Sequence, residues 1–289
     1  MPPVEKFKGR SGQVMADRYE LMEMIGSGGQ GVVYKAYDRY ENDYVAAKIC
    51  EWNDPSACER MYREALVMSQ LEKTAAVRVL DQIKTDDGAM ALVMELLDGS
   101  DLASVLHLRE GRGMKATRSW VTAILEPIVR TLDAAHERGI VHRDLKAENV
   151  FVIDPRSGGG VRLLDFGFAK LMRLPQITAA EAFAGSPGYI APEVWRDGAV
   201  AADPRVDVYA LGVLVFRMLA GRLPFEGSAI QIAREAMTSE RPSLHALRPD
   251  LPTDLDAWIR QVLAIEPDDR FAKIVAAWHA LEACLEELY

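Results

Sequence analysis

Val141-His142-Arg143-Asp144-Leu145-Lys146-Ala147-Glu148-Asn149, followed after a short gap by Leu164-Asp165-Phe166-Gly167, is the stretch on which the reading of this chain turns. Two acids and an amide stand on loops at strand ends, with Asp144 to Asn149 five residues apart and Asp144 to Asp165 twenty-one. One acid in such a group can accept a hydroxyl proton. The other, with the amide, can hold Mg²⁺, a hard cation that takes few protein oxygens and shares the rest with phosphates. Phe151-Val152-Ile153 and residues 161–164 flank a turn-forming run, 154–160, so the spacing predicts a short hairpin between the two halves. His142 reads as a packed structural residue rather than as an acid or base.

Upstream, Gly26-Ser27-Gly28-Gly29-Gln30-Gly31 follows the apolar residues 21–25. Glycines at this spacing let backbone N–H groups approach phosphate oxygens without side-chain obstruction. A dinucleotide fold uses the same pattern but opens a helix with it, whereas Val32-Val33-Tyr34 favours a strand. The loop is read as a hairpin lid over phosphates, with an ordinary turn as the alternative. Val45-Ala46-Ala47-Lys48 then places a lysine in an apolar strand, where an unpaired charge is costly. Glu64, on a helix predicted over 58–71, is the candidate partner; a solvated helix face is its competing reading.

These pieces together resemble the eukaryotic-like (Hanks-type) Ser/Thr protein kinases, most closely the bacterial members. The likeness covers roughly residues 18–275 and extends to Ala191-Pro192-Glu193, to Asp207 and Gly212 in Asp-Val-Tyr-Ala-Leu-Gly, and to Arg270 in Pro-Asp-Asp-Arg-Phe. It implies an α+β, bilobal fold: a small antiparallel-sheet lobe with one key helix over 18–97, and a larger helical lobe over 98–289. Residues 1–17, polar and bearing Gly and Pro, are expected to be a flexible extension.

Carried onto matching positions, the resemblance implies an autophosphorylating enzyme with Asp144 as base and Lys146 on the γ-phosphate. Lys48 paired with Glu64 positions the phosphates, and Asn149 and Asp165 hold Mg, or Mn in its place. ATP lies under Gly26, Ser27, Gly28, Gly29, Gln30 and Gly31. Its adenine lies between the lobes against Ile25, Val33, Ala46 and Phe151, with Met94 limiting the depth. Glu95 and Leu97 give backbone partners to the purine, and Asp101 lies near the ribose. Residues 168–190 form the activation and docking segment. Ser186 stands there where the family more often has Thr, and Thr178 is the expected phosphate acceptor, to be paired with Arg143. A segment active without phosphorylation is the rival. Arg143, Glu193, Asp207 and Arg270 are expected in structural roles.

Composition agrees with this class and narrows the partners. Over 289 residues, 34 basic against 43 acidic side chains give −9, which argues against a general nucleic-acid binder. Three scattered cysteines make neither a disulfide framework nor a four-ligand zinc site. No stretch reads as a signal peptide or membrane span. Protein substrates, a cytoplasmic setting and a homodimer for trans-autophosphorylation are the expected context. A pseudokinase scaffold would lack a key residue, and none is missing. A small-molecule phosphotransferase would lack the docking segment 186–193.

Overall fold

The computed structural model describes residues 10–28, 31–50, 55–84, 89–166, 186–198 and 203–286. They fall into two compact units. One holds the described residues up to Glu72 together with Val77–Asp98; the other holds Lys73–Ala76 and the chain from Gly99 onward.

The first unit is an antiparallel sheet of β1 (Val14–Met15), β2 (Tyr19–Gly28), β3 (Gly31–Asp38), β4 (Asp43–Cys50), β5 (Val79–Lys84) and β6 (Met90–Glu95), in the order β1-β2-β3-β4-β6-β5. Helix α1 (Pro55–Ser69) belongs to the same unit. Alternation along the strands sorts two faces. Val32, Tyr34 and Ala36 of β3, Val45, Ala47 and Ile49 of β4, and Ala91 and Val93 of β6 form one core. The intervening Val33, Ala46, Lys48, Leu92 and Met94 point to the other face, where Val33 pairs with Lys48 and Ala46 with Met94. Asn42, at φ 58°, makes the β3–β4 turn expected of Asn-Asp.

The expected extension is corrected for its described part. Val14 and Met15 pair with β2, and Met15 is buried in the sheet core. Arg18 then anchors the turn by a bidentate bond to Asp38, at 2.8 and 2.6 Å. One buried methionine flanked by polar residues is too short a signal for periodicity to detect. On α1, Leu66 is exposed although it lies at helical spacing from the apolar residues of that helix, while Met61, Ala65 and Met68 are buried.

The second unit opens with β7 (Gly99–Asp101), which pairs with β8 (Val150–Ile153), itself paired with β9 (Val161–Leu163). Gly99 and Ser100, in a polar run, therefore belong to a strand. The helices are α2 (Leu102–Gly111), α3 (Arg118–His136), α4 (Pro192–Asp197), α5 (Arg205–Ala220), α6 (Ala229–Thr238), α7 (Leu244–Leu247), α8 (Asp254–Val262) and α9 (Ile274–Leu285). Pro127 sits within one continuous helix, its carbonyl accepting from Thr131 Oγ1 at 2.8 Å. Helix α5 is buried almost throughout. Gly212 lets it lie against α8: a Cβ there would come within 2.5 Å of Val262 Cγ1 and 2.9 Å of Leu263 Cδ2. Among the described residues no helix is long and apolar enough to cross a membrane.

Candidate active site

In the sheet unit, Lys48 and Glu64 are each 5% exposed and meet at 3.3 Å between Nζ and Oε2. Glu64 is thus on the covered side of α1, and the solvated-face reading is set aside. A buried ammonium and carboxylate offset each other's desolvation, and a cation is thereby held on the face that also carries Val33, Ala46 and Met94. Gly31 has φ 135°, and a Cβ on it would fall 2.3 Å from the Ile49 carbonyl oxygen. The glycine is required by this close approach of β3 to β4. Ile25 is exposed, Gly26, Ser27 and Gly28 close β2, and Gly29 and Gln30 lie outside the described residues. Glu95 Oε1 accepts from Arg78 N–H at 2.8 Å, and Leu97 is half-buried beyond β6.

In the helical unit, the loop between α3 and β8 closes on itself around Asp144. Lys146 Nζ lies 3.1 Å from Asp144 Oδ2. Asn149 Nδ2 donates to the Asp144 backbone oxygen at 2.8 Å and to its Oδ2 at 3.1 Å. Asn149 sits in the single turn Ala147–Asn149, and its carbonyl accepts from Leu164 N–H at 2.8 Å. The β8–β9 hairpin therefore returns the chain beside Asn149 and sets Asp165 next in sequence to that anchor. Arg143 at φ 64° and Asp165 at φ 43° both adopt the left-handed region. Such conformations cost about 1–3 kcal/mol each and persist only where surroundings over-determine them.

Asp207, at the start of α5 and fully buried, does that over-determination for Arg143. Its carboxylate accepts from the backbone N–H of His142 at 2.8 Å and of Arg143 at 2.7 Å, and meets His136 Nε2 at 2.8 Å. Burial alone would raise this carboxyl. The hydrogen bond and charge of His136 and the Arg143 amide outweigh it and hold Asp207 below the ordinary carboxylate value. His136 was not singled out in the sequence; its place at the last turn of α3, seventy-one residues from Asp207, gives no local signal. His142 is fully buried, packs on Phe166 with centroids 4.8 Å apart, and burial pushes its imidazole below the ordinary value. Its Nδ1 accepts from Asp144 N–H at 3.3 Å. The packed reading of this histidine holds.

Other predicted residues fall into place around this loop. Asp101 pairs in register with Phe151, but its carboxylate caps α2, accepting from Ser104 N–H at 2.9 Å and Ser104 Oγ at 2.7 Å. Glu193 grips Arg270 through two bonds, at 2.8 and 2.6 Å, and Arg270 also donates to the Ala264, Ile265 and Arg205 carbonyls. Ser186 Oγ donates to Glu148 Oε1 at 2.9 Å. Gly167 and Thr178 lie outside the described residues.

The donor set suits a divalent cation bound with phosphates. With its amide nitrogen spent on Asp144, Asn149 has only its oxygen to offer, and Asp165 adds a carboxylate. Two hard oxygens are what Mg²⁺ takes from protein when a substrate supplies the others.

The protein kinase domain family matches residues 19–283. The chain is similar to the serine/threonine-protein kinase PknL of Mycobacterium tuberculosis, 37% identical over 279 residues that cover 95% of this chain and 67% of PknL. It is also similar to the serine/threonine-protein kinase PrkC of Bacillus subtilis, 33% identical over 90% of this chain and 39% of PrkC. A crystal structure of the Mycobacterium tuberculosis PknI kinase domain matches with TM-score 0.72 and 27% identity, over 95% of this chain and 98% of that one. The chain spans about two thirds of PknL and well under half of PrkC. With that family's model matched over nearly the whole chain, this chain belongs to the protein kinase family.

Proposed function

We propose that the chain is a protein serine/threonine kinase that moves the γ-phosphate of ATP to Ser and Thr hydroxyls of proteins. The observation that carries this reading is the Asp144 carboxylate held by both Lys146 and Asn149. An acid fixed in this way can orient an acceptor hydroxyl and take its proton as the oxygen attacks phosphorus. Lys146 neutralises charge on the transferring group, and Lys48, fixed by Glu64, does so on the α- and β-phosphates. Asn149 and Asp165 would hold Mg²⁺, with Mn²⁺ as a substitute, and the ion would supply charge neutralisation at the phosphate oxygens. Gly26–Gly31 cover the phosphates, and Ile25, Val33, Ala46, Met94, Glu95, Leu97, Asp101 and Phe151 receive the nucleoside. Catalysis is then mainly positioning and electrostatic stabilisation.

The catalytic domain runs over 18–289, with its lobes meeting in sequence at 97–98. It acts in the cytoplasm and phosphorylates a second copy of itself in trans. Thr178 accepts that phosphate, and Arg143 pairs with it. A Thr178→Ala protein of undiminished activity after incubation with ATP would remove this regulatory element and leave the rest.

Labelled ATP, Mg²⁺ and a generic protein acceptor, incubated beside Asp144→Ala and Asp165→Ala, test the reading. Label on the acceptor only with the unaltered chain is expected. Label passing to a small-molecule acceptor in preference to protein would overturn it.

A further inference from the structure

A cleft between the end of α2, the loop 112–117 and the end of α5 stands apart from the residues named for phosphoryl transfer. It holds about 220 Å³; Met114, Trp120 and Met218 are in its apolar lining, and Arg109, Lys115 and Arg248 reach the same space. That volume is below the roughly 300–1,000 Å³ of sites that take a drug-sized ligand, and it suits one large side chain. The walls are held by bonds of their own. The N–H groups of Arg112 and Met114 donate to the Arg109 carbonyl, at 3.1 and 2.9 Å. Arg109 Cζ stands 4.1 Å from the Trp120 ring centroid, and its guanidinium donates to the Lys115 carbonyl at 2.9 Å. Arg248 closes the far side through the Leu219 carbonyl, at 2.9 Å. Charge sets this surface apart. Residues 107–118 carry Arg109, Arg112, Lys115 and Arg118 against one acid, Glu110, in a chain whose net charge is −9. Glu110 is taken up by Arg217, and Asp250 is shared by Lys115 at 3.2 Å and Arg248 at 2.7 Å. Among the described residues, Arg109, Arg112 and Arg118 enter no ion pair.

An apolar hollow rimmed by cations without carboxylate partners calls for an apolar anchor flanked by acids. The position of the cleft indicates which molecule brings them. Helix α5, which carries Arg217, packs on the turn Pro187–Tyr189 of the docking segment. The Arg217 charge reaches the Tyr189 phenol, which burial and then Glu148 raise. We propose that this cleft docks the protein acceptor, taking a large apolar side chain flanked by Asp or Glu, apart from the hydroxyl that receives phosphate. The inference rests on the kinase reading and names the class of acceptor. An anionic membrane would also meet the cations, but a flat layer of headgroups leaves the hollow over Trp120 and Met218 unfilled.

The test titrates the full chain, without ATP, into a fluorescent synthetic peptide that carries phenylalanine between paired glutamates, with binding read by anisotropy. The same peptide with lysines in place of the glutamates, and vesicles of phosphatidylserine in phosphatidylcholine, are run beside it. Saturable binding of the acidic peptide is expected, weakening as salt is raised. Met114→Asp, and Arg112→Glu combined with Lys115→Glu, should each lower affinity about tenfold, whereas Arg156→Glu on the exposed β8–β9 turn should not. Joined to a generic acceptor peptide, the acidic segment should lower KM for transfer by about tenfold, and the two cleft variants should lose that advantage. Binding that the cleft variants leave unchanged, equal binding of the lysine peptide, vesicles bound while the acidic peptide is not, or a KM that the segment does not alter would each overturn the inference. Failure of the kinase reading shows separately, as no label on any protein acceptor with or without the segment, while the ATP-free titration still decides the cleft.

Discussion

Lys48 in the sheet unit and Asp144 in the helical unit are both charged side chains held in place by their neighbours, but the means differ. Lys48 projects from the middle of a regular strand, and strand alternation alone chooses its face; the ion pair with Glu64 then makes its burial tolerable. Asp144 sits on irregular backbone, and its place depends on bonds from Lys146, Asn149, His142 and, through Arg143, Asp207. A strand needs few side-chain bonds to aim a residue, because its ladder already does so. A strained loop needs many. The place of Lys48 is thus exposed to loss of one pair, and that of Asp144 to slow erosion of a network.

The sharpest way to break this contrast is at the two charges themselves. Asp144→Ala should lower kcat by about 10²–10⁴, the range for loss of a general base, with the fold intact by circular dichroism. If kcat holds while other loop variants fail, the loop serves something other than Asp144. Next in size is Glu64→Ala. Breaking a buried pair typically costs about 3–5 kcal/mol, so chemical denaturation should show a marked drop in stability together with lost activity. Lys48→Met combined with Glu64→Leu should recover much of the stability and none of the activity. Recovery of both would show that the pair is only structural.

A smaller effect tests the frame under the loop. Gly212→Val drives a branched side chain into Val262 and Leu263 and should cost about 1–3 kcal/mol of stability by denaturant titration, as overpacked cores do. Since α5 carries Asp207, kcat should fall with it even under conditions where the variant is folded.

The smallest effect is in pH. His142 is held neutral by burial when folded, whereas the unfolded chain takes up its proton below about pH 6.5. Stability should therefore fall as pH drops below that value, by up to about 1.4 kcal/mol per pH unit from this one group. Asp207, depressed when folded, contributes above its unfolded value near 3.9 and loses that only in stronger acid, outside this window. Thermal melts of His142→Phe between pH 7 and 5.5 should show a shallower decline than those of the unaltered chain; an equal decline would place the proton elsewhere.

The contrast also explains what could be read from sequence. Periodicity found β3, β4 and the β8–β9 hairpin because alternation and turn composition are local. It missed β1 and β7, each only two or three residues long, and the outward turn of Leu66, which depends on where α1 packs. The motif residues were legible because their spacing is set by the short loops that carry them. His136 and the Ser186–Glu148 bond were not legible, since they join residues seventy-one and thirty-eight positions apart and only folding brings them together. Asp101 was assigned to ribose contact, yet its carboxylate caps α2, a role that Asp before a helix commonly takes.

The most direct test of the account is to identify the residues that carry label after the chain is incubated with labelled ATP and Mg²⁺. The account predicts phosphoserine and phosphothreonine from the unaltered protein and neither from Asp144→Ala. Equal label in Asp144→Ala, or label confined to phosphotyrosine, would contradict it.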